Sequence, residues 1–395
     1  MSSANSVRIA VIEETTYGET PAVGNFGTAR FTSESLSGSP TTTESQQIRT
    51  DRQSSGQIVT GLEVGGGFNF ELAPDTVLDD LIRGAMMQDA WVTDTPVSVD
   101  LTIDATAKTV TRASGDFNTD VAVGDILTFT GFTNSDNNSQ AMVTEISSAT
   151  VIKYAGSDSL VDEAGSGTTF KVADKVTIGT DTPSFSVEKA FLDLTTKAIN
   201  YKGMYVSGMT LNTAYGEIVT GEFTFSGNSY EAVSAAGDMI TNTRTINPAG
   251  TTESMNGSID MPFIATSANG TFEESDFCLQ SVNIELQNNL TPQTCIGSAA
   301  PTDYSAGTAA ITISMGAYLS DSAWSILGNK LTQTPFSIGF SVKNAGGWYG
   351  FYLPAVQVTF DDPASGGQNQ DVILDMSGTA KVGTGSVSAL TIFKY

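Results

Sequence analysis

The sequence predicts a mainly β protein. One β-sandwich or partial-barrel module, flanked by a single helix, occurs twice, and a small β-domain is inserted into the first copy. Three observations carry this reading. Thr, Ser, Gly, Val and Phe dominate in short runs separated by Gly/Asn/Asp/Ser clusters. Helical periodicity stands out in two places only. The order of elements around those two places is the same, which is the mark of an internal duplication.

The first module takes in residues 1–93 and 183–232. Within it "RFTSESLSGS" (30–39) leads through a polar loop, 37–61, into "LEVGGGFNFEL" (62–72). Leu62, Val64, Phe68, Phe70 and Leu72 share one face of that strand and Glu63, Asn69 and Glu71 the other, as period-2 alternation requires. A helix follows over 75–89, with Val77, Leu78, Leu81, Ile82, Ala85 and Met86 at helical spacing. Thr76 and Asp79 have the spacing of a capping box at its start. Three strands complete the module: "PSFSVEKAF" (183–191), "YKGMYVSGMTL" (201–211) and "GEIVTGEFTFSGN" (216–228).

The second module, 277–395, repeats the order. "QSVNIELQNN" (280–289) precedes "AAITISMGAYL" (309–319), where Ile311, Ile313, Met315, Ala317 and Leu319 alternate with Thr312, Ser314 and Tyr318. A helix over 321–331 places Trp324, Leu327 and Leu331 on one face. Strands at 335–344, 348–360 and 370–379 then match the first series: Pro-Phe, aromatic-Gly, and a strand closing on Ser-Gly. The insertion, 94–182, carries its own turn-rich β pattern, and surface loops tolerate such insertions. Residues 233–276 connect the modules and include a strand at "GSIDMPFIATS" (257–267).

Composition narrows function by exclusion. Among 395 residues, 39% are hydrophobic and 15% charged, with no run of bilayer-spanning length and no signal-peptide pattern at the start, so a cytosolic origin and no membrane insertion are expected. The chain has no histidine, which removes Ser-His-Asp and Cys-His catalysis and every His-containing metal site. Cys278 and Cys295 cannot form a four-cysteine site; they are expected to be free thiols, with a hairpin disulfide as the alternative. The net charge of −25 is opposite to that of a protein that grips nucleic acid. It suits either solubility or a surface that passes a polyanion without holding it.

The remaining motifs point away from catalysis. Gly65-Gly66-Gly67 fits neither phosphate-loop pattern, because Phe68–Leu72 continues as strand, and reads as a bend or a close backbone approach. Acidic clusters near 135–138, 161–165 and 361–363 lack the calcium-loop spacing. Asp79 and Asp80 sit on the exposed flank of the first helix with no facing acid. Trp348, Tyr349, Phe351 and Tyr352 are expected to place one face in the core and the other on a neighbouring subunit. The loop 37–61, with Glu44, Arg49, Asp51 and Arg52, is long for a hairpin connection, which suits a docking arm.

Several of these stretches together resemble the major tail tube proteins of tailed bacteriophages, of the siphophage type. They are "IAVIEETTYGETP" (9–21), "ESQQIRTDRQSSG" (44–56) followed by "GLEVGGGFNFEL" and "PDTVLDDLIRGAM", and then "FSVEKAF", "YKGMYVSGMTLN" and "VTGEFTFSGN". The resemblance implies a non-enzymatic virion protein, without cofactor or metal, assembled in the host cytoplasm into rings that stack as a tube. Sheets of neighbouring subunits would join edge to edge around a channel through which genome DNA passes without specific binding. A tape measure protein and tail-end proteins would be further partners. Residues 38–60, with Glu44, Arg49, Asp51 and Arg52, would be the stacking arm, and the N-terminal segment and the C-terminal "LTIFKY" further contacts. Two modules per chain then imply homotrimeric rings of pseudo-six-fold symmetry, with the insertion facing outward. Glu63, Asn69, Glu71, Thr312 and Ser314 are the candidates for the lumen or the subunit interface. The alternative is a β-sandwich surface adhesin or carbohydrate-binding module.

Overall fold

The structure, a computed structural model, describes residues 2–51, 53–156, 160–258, 263–267, 271–274, 278–328, 331–365 and 367–395. It is mainly β. In the first half of the fold the principal elements are β1 (Val7–Glu13), β2 (Ser33–Glu34), β3 (Ser37–Glu44), β4 (Gln57–Glu71), α1 (Thr76–Ala85), β5 (Ser184–Phe191), β6 (Lys197–Ala214), β7 (Thr220–Gly227) and β8 (Ser229–Val233). In the second they are β9 (Leu279–Gln287), β10 (Ala310–Tyr318), α2 (Asp321–Leu327), β11 (Phe336–Asn344), β12 (Gly347–Phe360), β13 (Ile373–Ala380) and β14 (Thr391–Lys394).

Strand order is the same in the two halves. Antiparallel pairing runs β3–β4–β7–β6–β5 in the first and β9–β10–β13–β12–β11 in the second. The long strands β6 and β12 each serve two layers. Their N-terminal parts pair with β5 and β11, and their C-terminal parts with β7 and β13. The halves meet where Gly208–Ala214 of β6 pairs with Ser281–Gln287 of β9, so one sheet runs across both.

The alternating apolar residues meet beneath that sheet. Phe68, Phe70, Phe223, Ile284, Ile313 and Met315 lie in one core with Leu81 and Ile82 of α1 and Ile338, Phe340 and Phe351 of the second layer. Side chains of this kind each contribute about 1.5–3 kcal/mol when removed from water. The three glycines of β4 reflect close backbone approach. An added Cβ would lie 2.8 Å from the Phe225 carbonyl oxygen at Gly65, 2.2 Å from that of Ser35 at Gly66, and 2.1 Å from that of Phe223 at Gly67. Gly66 also has φ +97°, which disfavours any side chain.

Both helices differ from expectation. α1 is shorter than 75–89, and Asp75, not Thr76, caps it, its Oδ1 accepting from the Val77 N–H at 2.9 Å. Asp79 leaves the capping box because it has stronger partners. It accepts from the Tyr349 hydroxyl at 2.8 Å and from Lys394 Nζ at 2.7 Å, so it joins the two halves instead of lying on an exposed flank. α2 ends at Leu327 and buries Ala323 and Ile326. Trp324 is 62% exposed and Leu331, beyond the helix, 93%, so of the expected apolar face only Leu327 packs against the core. Residues 329–330, within the predicted helix, lie outside the described residues.

Residues between Val97 and Val172 form a separate eight-stranded sheet around Leu101, Val110, Phe117, Phe129, Ile152 and Phe170. It docks on the second layer through Ile126, Met142 and Ala155 against Trp348, Tyr352 and Phe393. This corrects the reading of the aromatic strand. Trp348, Tyr349, Phe351 and Tyr352 are all buried within one chain, and the face expected to meet a neighbouring subunit is covered by the chain's own insertion. In the connector, Ile264–Thr266 forms a strand on β11; residues 259–262 of the predicted strand lie outside the described residues. Cys278 and Cys295 are free and exposed.

Candidate functional site

The residues that alternate with the core line the other face of the shared sheet, and the strand registers bring them into rows. One row runs from Asn69 through Glu222, Thr210, Glu285, Thr312 and Thr379 to Gln357. The next runs from Glu71 through Thr220, Asn212, Asn283, Ser314 and Ser377 to Thr359. Each row crosses β4, β7, β6, β9, β10, β13 and β12, and none of its side chains is buried. Such rows follow from period-2 strands paired without a slip, because one slip would send polar residues into the core.

The chemistry of this face is uniform. It consists of Thr, Ser, Asn and Gln with the carboxylates Glu71, Glu222 and Glu285, and Asp375 stands beside them on β13. Of the chain's 18 lysines and arginines, none lies in β4, β7, β9, β10, β12 or β13. Local hydrogen bonds hold the side chains in place. Asn69 Nδ2 donates to Ser33 Oγ at 2.7 Å, Ser254 Oγ donates to Glu71 at 2.6 Å, and Asn283 donates to Asn212. Among the described residues, no three potential metal-ligating side chains converge.

Four of the five predicted face residues fall on these rows: Asn69, Glu71, Thr312 and Ser314. Glu63 does not. It lies just beyond Val64–Gly227, the last pair shared by β4 and β7, near Tyr304, whose phenol is pushed up by burial and by the Glu63 charge. The rows also contain Thr210, Asn212, Thr220, Glu222, Asn283, Glu285, Gln357, Thr359, Ser377 and Thr379, none of which was singled out from sequence. Period-2 alternation was the available signal, and it was drawn on only two of the strands.

The polar segment 37–61 is a projecting β-hairpin, not a plain loop. β3 pairs with Gln57–Gly65 of β4, and the described residues 45–51 and 53–56 lie at the tip. The arm is exposed on both sides, with Ile48 fully exposed, Ile58 62% and Val59 60%. Arg49 and Asp51 pair at 2.6 Å at the tip, and the guanidinium holds the Asp51 carboxyl below its usual range. Glu44 accepts from Ser54 Oγ at 2.9 Å. Arg52 lies outside the described residues.

A broad sheet with one sealed apolar face, one polar face whose two rows carry no cation and a projecting hairpin belongs to a structural β protein. Residues 4–380 match the family described as phage tail tube protein, and the chain belongs to that family. It is thus a structural component of a virion tail. Among curated proteins, none matches the chain. No helix among the described residues is long and apolar enough to cross a membrane.

Proposed function

We propose that the chain assembles as homotrimeric, pseudo-six-fold rings that stack into a tube, with the polar rows of the shared sheet lining the lumen. The observation that carries this reading is the continuity of the two rows across both halves without a single cation. A wall of neutral and acidic side chains repels phosphates, so genome DNA passes without being held. The division of the chain follows: a first tube module of residues 1–93 with 183–232, an inserted domain of 94–182, a connector of 233–276 and a second module of 277–395. The repeated strand order supports two modules per chain, hence three chains for six positions.

The inserted sheet docks on the face of β11, β12 and β14 that points away from the common core, which supports an outward position. The arm, with Glu44, Arg49 and Asp51 near its tip, reaches the next ring. A tape measure protein inside the tube and tail-end proteins at its ends are the other partners, and assembly takes place in the host cytoplasm. Electron microscopy of the purified protein tests this. Rings or tubes with a DNA-wide channel and three outer protrusions per ring are expected. Persistent monomers would sink the reading, and six equivalent protrusions would refute the trimer.

A further inference from the structure

The two halves leave one sheet junction made and its counterpart open. Along its C-terminal part, β6 lies between β7 and β9. The corresponding part of β12 has β13 on one side, and along Gln357–Thr359 no described strand pairs on the other. Registers identify the counterparts. The helix caps Asp75 and Ser320 align β4 with β10, so Asn69 corresponds to Ser314. Their neighbours Ser33 and Asn283 then correspond, as do Ser37 and Gln287. By the same steps through β7 and β13, Gly208 corresponds to Gln357. Within the chain, Gly208 faces Gln287.

We propose that the open edge of β12 takes the β2–β3 edge of a second copy of this chain. The strands would be antiparallel, with Gln357 opposite Ser37, Val358 opposite Leu36 and Thr359 opposite Ser35. This rests on the tube reading and specifies its ring contact. Side chains now occupy the backbone groups that would pair. The Val358 carbonyl accepts from Gln333 Nε2 at 3.3 Å. The Leu36 N–H donates to Glu34 at 3.0 Å, and the Leu36 carbonyl accepts from the Tyr201 hydroxyl at 3.0 Å. Leu286, the counterpart of Leu36, instead faces Met209 as a strand partner. Each carbonyl keeps a second lone pair for the incoming strand. Only the Leu36 N–H changes acceptor, and Glu34 retains its ion pair with Lys189. The open side is continuous with a bare helix face, since the exposed Trp324 corresponds to Asp79, which in α1 is covered by β12 and β14.

The registers also set the size of the closed wall. The row from Ser33 through Asn69, Glu222 and Thr210 arrives at Glu285, two residues past Asn283, the counterpart of Ser33. Repeated at every junction of three copies, this closes roughly 24 strands with a total stagger of about 12 residues. The strands then tilt by about 20°, and opposite backbones stand about 39 Å apart.

Cysteine pairing tests the register. In a background with Cys278→Ser and Cys295→Ser, the pair Ser37→Cys with Gln357→Cys places two thiols at a non-hydrogen-bonded position, where Cα atoms stand close enough for a disulfide. Oxidation of the assembled protein should convert it to a covalent three-chain species on a non-reducing gel. Ser35→Cys with Thr359→Cys should behave alike, and single variants should assemble but remain monomeric on the gel. Cross-linking by Ser39→Cys with Gln357→Cys in place of these pairs overturns the register. Rings or tubes that never cross-link overturn the edge contact but leave the tube standing. A cysteine-free parent that forms no oligomer overturns both.

Discussion

Replacing Gly67 by alanine tests whether the triple glycine serves close strand approach. The new Cβ would lie 2.1 Å from the Phe223 carbonyl oxygen and 3.3 Å from Thr224 Cα. An ordinary carbon–oxygen contact is about 3.3–3.6 Å, so β4 and β7 must part by about 1 Å at the centre of the sheet. Overpacking of this kind costs about 1–3 kcal/mol, and one weakened backbone hydrogen bond adds about 1 kcal/mol. A loss of about 2–4 kcal/mol is therefore expected for Gly67→Ala. Gly66→Ala should be worse, because φ +97° adds backbone strain to a 2.2 Å clash with Ser35. Gly237→Ala is the control: nothing lies within 4 Å of its Cβ, and a change within about 0.5 kcal/mol is expected. Urea midpoints compared at equal protein concentration and unchanged slope provide the measurement. A Gly67→Ala protein as stable as Gly237→Ala would refute the close-approach argument.

Four further outcomes are expected. Thr312→Lys places three cations in each proposed ring, so assembled tubes should retain short duplex DNA with a salt slope of about −2.7 per ring, a roughly 40-fold loss between 50 and 200 mM salt; tubes that ignore DNA at low salt would argue that Thr312 faces elsewhere. Tyr349→Phe removes a hydrogen bond to the Asp79 carboxylate and should cost about 1.5–3 kcal/mol, read from the urea midpoint, while Lys394 still pairs with Asp79. Tyr201 and Tyr205 titrate well above the usual tyrosine range, chiefly through burial; because their folded values are raised, their contribution is complete below about pH 10 and is lost as pH rises beyond it. Urea midpoints at pH 8 and pH 11 should show this loss, and Tyr201→Phe should reduce it. Deleting the arm tip, residues 46–55, should leave single rings and abolish stacked tubes in electron micrographs; full-length tubes would remove the arm from the stacking contact.

What was legible in the sequence follows from the range of each signal. Period-2 alternation named the core and polar faces of β4 and β10 correctly, because it depends on one strand at a time. It could not say which strands lie next to them, so Glu222, Glu285 and Thr379 stayed hidden until registers joined the rows. The helix signal was misled where tertiary partners outweighed local pattern. Asp79 had the right spacing for a cap but is claimed by Tyr349 and Lys394, more than 250 residues away in the chain. Trp324 shares a helical face with Leu327 and Leu331 by spacing, yet Ala323 and Ile326 are the residues the helix buries. The aromatic strand was read as half interface because the sequence does not show where an insertion folds back.

In the proposed two-module reading, joining the modules in one chain changes the assembly in physical terms. The β6–β9 junction forms within the chain, at the high effective concentration of a tethered pair. In the proposed ring, half of the six junctions are then independent of protein concentration, and only the β12 edge must find a partner. Fusion also permits the two outer layers to diverge. One carries the insertion against Trp348 and Tyr352, and among the described residues no such cluster covers its counterpart in the first half. The two junctions diverge as well: Asp79, Tyr349 and Lys394 hold the internal one through charge, whereas Trp324 presents an apolar surface at the open one. A partly buried charged cluster suits a contact formed once during folding. An exposed aromatic suits one made between molecules, where desolvating a carboxylate and an ammonium would offset much of the attraction. The difference predicts that high salt weakens ring closure less than it loosens the internal junction. Ring assembly followed by light scattering from 0.1 to 1 M salt should therefore persist. Dissociation into monomers over that range would show that charge, and not the Trp324 face with its strand edge, closes the ring.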